Sequence, residues 1–156
     1  MLRAVPSAHR SKQMMEKLNA GVTLVVDRYA YSGVAFTASK GVPGLDLAWC
    51  KASDAGLPAP DALVYLHIPV DETTAREGFG GERYEKVDFQ KSVQTSFEGL
   101  MPGGGASGQV PTGSPWRIVD VRSKSIEAVH DEVMPIAMAA VGECLEGRKL
   151  GVLWSE

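Results

Sequence analysis

Uninterrupted runs of apolar residues mark three segments of the chain as candidate β-strands. They cover residues 22–27, 62–68 and 116–121. Apolar side chains follow one another in each run instead of alternating with polar ones, which is typical of a strand that is covered on both faces. The first and third runs end on or near an aspartate, Asp27 and Asp120.

The spacing of apolar residues and the positions of capping residues predict helices around these strands. We expect a short helix over 11–20 that Gly21 stops, and a final helix that starts at Ser123 or Ser125 and is kinked by Pro135. Three more helices are predicted between the strands, over 45–55, over 71 to about 77 with Asp71 as the N-cap, and over 89–101.

Strands that alternate with helices predict an α/β fold in which helices cover both faces of a parallel sheet, giving three layers. The 156 residues are enough for one domain. Three strands make a small sheet for a doubly wound domain. We therefore expect this chain to begin partway through such a domain.

Composition and charge exclude several classes of protein. The chain is 44% hydrophobic and 22% charged, which is typical of a globular domain. Its formal net charge of −3 gives no overall attraction to nucleic acid or to an anionic membrane. No apolar run approaches the roughly 18 residues that a membrane helix needs. The two cysteines, Cys50 and Cys144, are far apart, and we expect both to be small buried apolar residues in a reducing compartment.

The first fifteen residues allow two interpretations. They carry Arg3, Arg10 and Lys12 with no acidic residue before Glu16, which is the composition of an organellar transit peptide. The predicted helix that follows directly favours a folded N-terminus instead. We expect a cytoplasmic protein and leave a mitochondrial or nuclear location open.

A glycine-rich stretch at 103–108 formally matches the dinucleotide fingerprint G-x-G-x-x-G. That motif binds a pyrophosphate only when a strand leads into it and a helix leaves it. Here a predicted helix precedes the glycines, and residues 109–115 include two prolines, which cannot start a helix at once. We expect residues 102–115 to form a flexible loop.

The strongest candidate site is Asp27 with Arg28, directly after the first predicted strand. Ligands of open parallel sheets bind outside the carboxyl ends of the strands. A carboxylate there can hold Mg²⁺ directly or through water, and a neighbouring guanidinium suits a phosphate. The pair is therefore a candidate phosphoryl site. The alternative is that Asp27 caps the following helix and pairs with Arg28, and the spacing alone does not separate the two.

A second candidate site is the segment 76–85. Gly78, Gly80 and Gly81 would make it mobile, and Arg76 and Arg83 near its ends could close onto a phosphate as a lid does. An ordinary charged surface loop is the alternative. The three histidines have no metal-ligand spacing, and His67 in a predicted strand is more typical of a core residue.

Several motifs together resemble thymidylate kinases of the eukaryotic type. They include Asp-Arg-Tyr at 27–29 and Phe-Gly-Gly-Glu-Arg-Tyr-Glu at 79–85. The resemblance runs over nearly the whole chain from Ser7 onward, with its main interruption in the glycine-rich stretch. The segments that carry it are 18–37, 56–61, 79–85, 123–130 and 150–154.

The resemblance implies a nucleoside monophosphate kinase with a P-loop kinase fold. Such an enzyme transfers the γ-phosphoryl group of ATP to dTMP, with Mg²⁺ as cofactor, and forms homodimers. By position, Asp27 is similar to the acidic residue near the metal, where it acts through water, and Arg28 to the arginine that grips the acceptor phosphate. Both would be catalytic residues, together with Arg76 and Arg83 in the lid near ATP.

The resemblance also implies substrate-binding residues. Arg10 is similar to the arginine that hydrogen-bonds the thymine ring, and Tyr84 to a residue that packs beside the sugar. The remaining positions line the nucleotide pocket: Ser32, Gly33 and Phe36.

Two features depart from the family pattern. The sequence contains no phosphate loop of the type G-x-x-x-x-G-K-[ST], so we expect the chain to lack the first βαβ unit and to be truncated at its N-terminus. Pro6 stands where the family tends to have an aromatic residue that stacks on thymine. Two hypotheses follow: a thymidylate kinase that lacks its N-terminal portion, or a catalytically inactive homologue that binds dTMP or a full-length partner subunit.

Overall fold

The computed structural model describes residues 8–73, 87–103 and 110–154 of the chain, with side chains from residue 12 onward. The described part contains six helices and two strands. In chain order they are α1 (Ala8–Asn19), α2 (Ala30–Ala38), α3 (Leu47–Ala52), β1 (Leu63–His67), α4 (Val70–Thr73), α5 (Val87–Leu100), β2 (Trp116–Asp120) and α6 (Ile126–Leu145).

The two strands form a parallel sheet. Leu63 pairs with Trp116 at one end of the ladder and His67 with Asp120 at the other. The predicted parallel α/β architecture is confirmed for these two strands, and their observed bounds fall within the predicted ranges. A parallel pair needs a long crossover connection, which here contains α4 and α5.

The prediction of a strand over 22–27 is wrong. Residues 22–26 have no regular structure, and the side chain of Val25 is 97% exposed. Val22 and Val26 are also exposed. The apolar pattern was sufficient for the prediction, but a strand is stabilised only by pairing, and the described residues offer this segment no neighbouring strand.

The core lies between the sheet and α2. Tyr31 of α2 stacks edge-on against Trp116 of β2, with ring centroids 5.1 Å apart, and against Trp154, with centroids 5.3 Å apart. Val34 and Ala35 from the same helix are almost completely buried. Helix α2 also packs against α3 and α5, and Phe97 of α5 contacts Tyr65 of β1. The start of α2 is therefore held in a fixed position relative to the sheet.

The helix ends follow the predicted capping chemistry with small shifts. Ser125 is the N-cap of α6, and its Oγ accepts a hydrogen bond from the Ala128 N–H at 3.2 Å. Pro135 lies inside this helix, which continues to Leu145. Asp71 was predicted to cap α4, but the helix starts at Val70, so Asp71 lies in its first turn. Acidic residues in a first turn are favoured by the helix dipole.

Three further predictions concern the two cysteines, the glycine-rich loop and membrane-spanning helices. Both cysteines are free, and Cys50 is buried as expected, but Cys144 is exposed near the end of α6, so its predicted burial is wrong. Residues 104–109 of the predicted flexible loop lie outside the described residues. No helix of the described chain is long and apolar enough to span a bilayer.

Candidate functional site

The segment Asp27-Arg28-Tyr29 connects the unpaired residues 22–26 to helix α2. Arg28 adopts φ 58°, a left-handed backbone conformation that residues other than glycine seldom take. Tyr29 is the N-cap of α2 and makes no side-chain capping bond there. Strained backbone of this kind is concentrated at functional sites, where surrounding contacts hold it in place.

Arg28 is oriented by an aromatic side chain of the following helix. Its guanidinium carbon lies 5.6 Å from the centre of the Phe36 ring, which is the geometry of a cation–π contact. The Phe36 ring lies in turn beside Phe89 of α5, with centroids 6.1 Å apart. Arg28 itself is exposed. The result is a positioned cation that remains accessible to an anion.

Tyr29 anchors the site to the body of the protein. Its Oη donates a hydrogen bond to the Pro58 carbonyl oxygen at 3.0 Å. Burial, and then the nearby charge of Asp54, raise the pKa of Tyr29 to about 12. Burial also raises the pKa of the Asp54 carboxyl. Tyr29 is thus a neutral hydrogen-bond donor over the whole physiological pH range.

Asp27 is exposed and takes part in none of the ion pairs found in the described part of the chain. The alternative in which Asp27 caps the next helix and pairs with Arg28 is wrong, because Tyr29 is the N-cap of α2 and no side chain caps that helix. Within residues 8–73, 87–103 and 110–154, no cluster of three metal-ligating side chains occurs.

The other predicted pocket residues lie on α2. Ser32 is buried in the first turn, where its N–H bonds to the Tyr29 carbonyl oxygen at 3.1 Å, and Gly33 is half-buried beside it. Phe36 follows one turn later. Sequence analysis considered a helix after Asp27 only as an alternative and gave it no bounds, so it missed the reason why Arg28 and Phe36 come together. Ser32, Gly33 and Phe36 thus lie on one helix, and Arg28 lies just before its N-cap.

The carboxyl ends of β1 and β2 form a second polar cluster. Asp120 accepts hydrogen bonds from the Arg122 side chain, with Nε 2.8 Å from Oδ2, and from the Arg122 N–H at 3.0 Å. These bonds lower the pKa of Asp120 to about 2. His67 lies at the end of β1, where its Nε2 is 3.4 Å from Nε2 of Gln94. The partner Arg122 could have been found from its position two residues after the strand-end aspartate.

Four predicted residues cannot be placed in this geometry. Arg76, Arg83 and Tyr84 lie outside the described residues. Arg10 belongs to α1, whose backbone is described at that position, but its side chain is outside what the structure describes. The proposed lid and the contact with the base therefore remain predictions.

Comparisons of the sequence with known proteins all give one family, thymidylate kinase. The family model for thymidylate kinase matches residues 4–133 of the chain. The chain is 43% identical to the thymidylate kinase of Arabidopsis thaliana over 142 residues, which are 91% of this chain and 48% of that protein. It is 44% identical to the thymidylate kinase of Homo sapiens over 151 residues, 95% of this chain and 66% of that protein.

A solved structure gives the same match in three dimensions. The thymidylate kinase of Candida albicans superimposes with a TM-score of 0.73 at 28% identity, over 93% of this chain and 67% of that one. The chain thus spans about half to two thirds of the length of these proteins.

Proposed function

The chain belongs to the thymidylate kinase family, and on this premise we propose that Asp27, Arg28 and helix α2 form an acceptor site for dTMP. The reaction proposed for the whole protein is the transfer of the γ-phosphoryl group of ATP to dTMP, which gives ADP and dTDP.

One observation carries the proposal: the exposed guanidinium of Arg28 is held at the start of α2 by the Phe36 ring and by a backbone at φ 58°. A strained residue with an oriented charge is expected where an anion has to be gripped in one geometry. The N-terminal end of α2 adds a favourable field for a phosphate, because helix dipoles attract anions at that end.

Phosphoryl transfer requires positioning and charge neutralisation more than covalent help from the protein. In the proposed complex, the planar guanidinium of Arg28 donates two parallel hydrogen bonds to oxygens of the dTMP phosphate. This contact fixes the acceptor oxygen for in-line attack on the γ-phosphorus. It also offsets the negative charge that two adjacent phosphates bring together.

The residues present suit the magnesium ion that the family implies. Mg²⁺ usually keeps several waters and takes only one or two carboxylates together with substrate phosphates. Asp27 is an exposed carboxylate outside the described ion pairs, beside the arginine that would hold the phosphate. We propose that Asp27 holds the ion through water. When bound, the ion neutralises charge on the phosphate oxygens.

Further contacts of the proposed site follow from the family resemblance. Arg10 would bind the thymine ring, Tyr84 would pack beside the sugar, and Ser32 and Gly33 would line the pocket with Phe36. Arg76 and Arg83 would approach ATP from the lid and act in catalysis with Asp27 and Arg28. The protein would act as a homodimer.

We also propose that the 156 residues form a single three-layer domain of the P-loop kinase type, with 102–115 as a flexible loop. The sequence contains no phosphate-loop motif of the type G-x-x-x-x-G-K-[ST], and we keep a second candidate function beside the first. In that alternative the chain binds dTMP, or a full-length partner subunit, without catalysing the transfer.

Calorimetric titration with dTMP and with thymidine tests the acceptor site. We expect Arg28→Gly to weaken dTMP binding by about 10- to 150-fold, since hydrogen bonds to charged groups contribute roughly 1.5–3 kcal/mol. Glycine suits this test because it adopts φ 58° without strain, so the variant should fold. Thymidine has no phosphate, and its affinity should be the same for both proteins.

Arg148→Ala is the matched control. Arg148 follows α6 and pairs with Glu143 and Asp61, so its replacement should not affect dTMP binding. A folded chain that does not bind dTMP, or an Arg28→Gly variant that binds it normally, overturns the proposed site.

A coupled assay with ATP, Mg²⁺ and dTMP separates the two functions. Turnover that Arg28→Gly abolishes supports the kinase. Binding of dTMP without turnover by the purified chain supports the inactive homologue. Turnover that persists in Arg28→Gly contradicts the role of this arginine in either function.

A further inference from the structure

Helix α5 places an apolar stripe against α2 and the sheet. The stripe follows the three- and four-residue steps of one helix face: Phe89, Val93, Phe97 and Leu100. Val93 and Leu100 are buried, and the Phe97 ring lies beside Tyr65 of β1, with centroids 5.1 Å apart. Phe89 is the member of the stripe in the first turn of α5. The rest of the stripe therefore fixes where the Phe89 ring lies.

A hydrogen bond joins α2 and α5 near the end of α2. The hydroxyl of Ser39, the C-cap of α2, donates to the Ala35 carbonyl oxygen at 2.7 Å, and its oxygen lies 2.8 Å from Oγ of Ser96 on α5. Because a serine hydroxyl carries one proton, Ser39 accepts this second bond from Ser96. The bond fixes the register of the two helices. Phe36 lies one turn before Ser39, so this register sets which part of α5 its ring meets.

Arg28, Phe36 and Phe89 form a row of three side chains. The guanidinium carbon of Arg28 lies 5.6 Å from the Phe36 centroid, and the centroids of Phe36 and Phe89 are 6.1 Å apart with their planes at 59°. Tilted rings at this separation attract each other. Phe36 is only half-buried, so its own helix leaves it more than one staggered rotamer. The Phe89 ring stabilises the rotamer in which Phe36 faces Arg28.

We propose that Phe89 is a positioning residue of the acceptor site, which holds the Phe36 ring against the Arg28 guanidinium and so orients that charge before a phosphate arrives. A group that is already oriented loses less conformational freedom on binding, and the affinity is correspondingly higher. Phe89 acts on the phosphate only through Phe36 and Arg28. The inference rests on the proposed function, because it takes Arg28 to be the residue that grips the phosphate.

The orientation of Arg28 in the chain without ligand gives the first test. The Nε–Hε signal of Arg28 is identified in NMR spectra by its absence from Arg28→Gly. We expect Phe36→Leu to remove the ring-current shift of this signal and to increase its mobility on the picosecond to nanosecond timescale. Phe89→Leu should produce a smaller change in the same direction.

Phe97→Leu is the matched control, because Phe97 is the same residue type on the same helix, is also half-buried, and contacts Tyr65 instead of Phe36. It should leave the Arg28 signal unchanged. The control separates the loss of the Phe89 ring from a general loosening of α5.

Calorimetric titration with dTMP and with thymidine gives the second test. Phe89→Leu should weaken dTMP binding by about 2- to 10-fold, which corresponds to the usual strength of an aromatic pair. Thymidine has no phosphate, so its affinity should not change. Phe89→Tyr keeps the ring and should bind dTMP as the unmodified chain does, and so should Phe97→Leu.

A double-mutant cycle separates positioning from a merely structural role. In the Arg28→Gly background, Phe89→Leu should cause no further loss of dTMP affinity, because Phe89 acts through the guanidinium that is already absent. A structural role would lower the affinity for dTMP and thymidine alike, with or without Arg28.

The two proposals fail in different ways. An Arg28 signal that Phe89→Leu leaves unchanged overturns the positioning role, whether or not dTMP binds. A loss of dTMP affinity that is equally large in the Arg28→Gly background overturns it as well. If Phe89 restrains Arg28 but dTMP does not bind, the acceptor site alone is overturned and the restraint of Arg28 by Phe89 stands.

Discussion

Residues 22–26 and strand β2 are both largely apolar runs beside an aspartate, but they are opposite in structure. Residues 22–26 are mostly apolar and are followed by Asp27, and β2 carries Trp116, Ile118 and Val119 and ends on Asp120. In β2, Trp116 is 2% exposed and Val119 is 4% exposed, whereas Val25 is 97% exposed. The difference between them is the neighbour: β2 pairs with β1 along its whole length, and the first segment pairs with nothing described. An apolar segment can therefore form a strand, but it does so only where a neighbouring strand pairs with it.

Hydrogen exchange should show the largest difference between these two regions. Amides that bond between β1 and β2, such as those of Leu63 and Val121, should exchange only when the whole protein unfolds. For a stability of at least about 5 kcal/mol, this means slowing by three orders of magnitude or more. Amides of residues 23–26 should exchange almost without protection in dilute protein. Equal protection of both regions at a concentration where the protein is monomeric would contradict the comparison.

Truncating one side chain in each region should give the next largest effect. Trp116→Ala removes a buried ring that contacts Tyr31 and Tyr65, and we expect it to lower the free energy of unfolding by about 3–5 kcal/mol. Val25→Ala should change it by less than about 0.5 kcal/mol, because the side chain is already in solvent. Urea unfolding of the monomer, followed by far-ultraviolet circular dichroism, measures both. A comparable loss in the two variants would mean that Val25 is packed.

This contrast explains how much of the fold could be predicted from the sequence. Local signals were sufficient for the Ser125 cap and for the end of α1 at Gly21, because each depends on residues next to one another in the chain. They also located the two apolar runs that pair as β1 and β2. The failure at 22–27 has the opposite cause. Whether an apolar run becomes a strand depends on a neighbour distant in sequence, which no local pattern reports.

The candidate site shows the same limit. The position of Asp27 and Arg28 after an apolar run was enough to single them out as a candidate phosphate site. The cation–π contact between Arg28 and Phe36 was not predictable, because it requires α2 as a helix and an unusual backbone at Arg28. Residue 28 is an arginine and not a glycine, so nothing in the sequence indicated a positive φ there. The residue types thus indicated a phosphate site, and only the structure gave the orientation of the Arg28 guanidinium.

The anchor between the unpaired segment and the body should give an effect of intermediate size. Tyr29→Phe removes the hydrogen bond to Pro58 and should lower the free energy of unfolding by about 0.5–1.5 kcal/mol at neutral pH. Folding raises the pKa of Tyr29 from 10.0 to about 12, so the folded state favours the neutral phenol. Its contribution to stability is therefore present below pH 10 and is lost as the pH rises from there towards about 12.

Thermal unfolding at neutral pH and at several values above pH 9 measures this contribution. The stability of the unmodified chain should fall more steeply with rising pH than that of Tyr29→Phe. The variant should keep some dependence, since burial also raises the pKa of Tyr31 and Tyr65. Identical alkaline profiles would show that Tyr29 is solvated in the folded protein.

The smallest effect is expected at the end of β2, where a carboxylate is already paired. Side-chain hydrogen bonds from Arg122, and then its N–H, lower the pKa of Asp120 from 3.8 to about 2. Because the folded state favours the charged form, the contribution of Asp120 is present above pH 3.8 and is lost as the pH falls towards about 2. Both side chains are substantially exposed, so solvent screens the pair and the change in stability should be small.

Acid unfolding of Asp120→Asn, Arg122→Gln and the double variant measures this coupling. Each single variant should reduce the decline in stability between pH 4 and pH 2, and the double variant should behave like either single one, because one interaction is lost in all three. Independent, additive effects of the two substitutions would show that the guanidinium does not hold this carboxylate. In that event the end of β2 would be as free of ion pairing as Asp27, and the two apolar runs would differ only in their pairing.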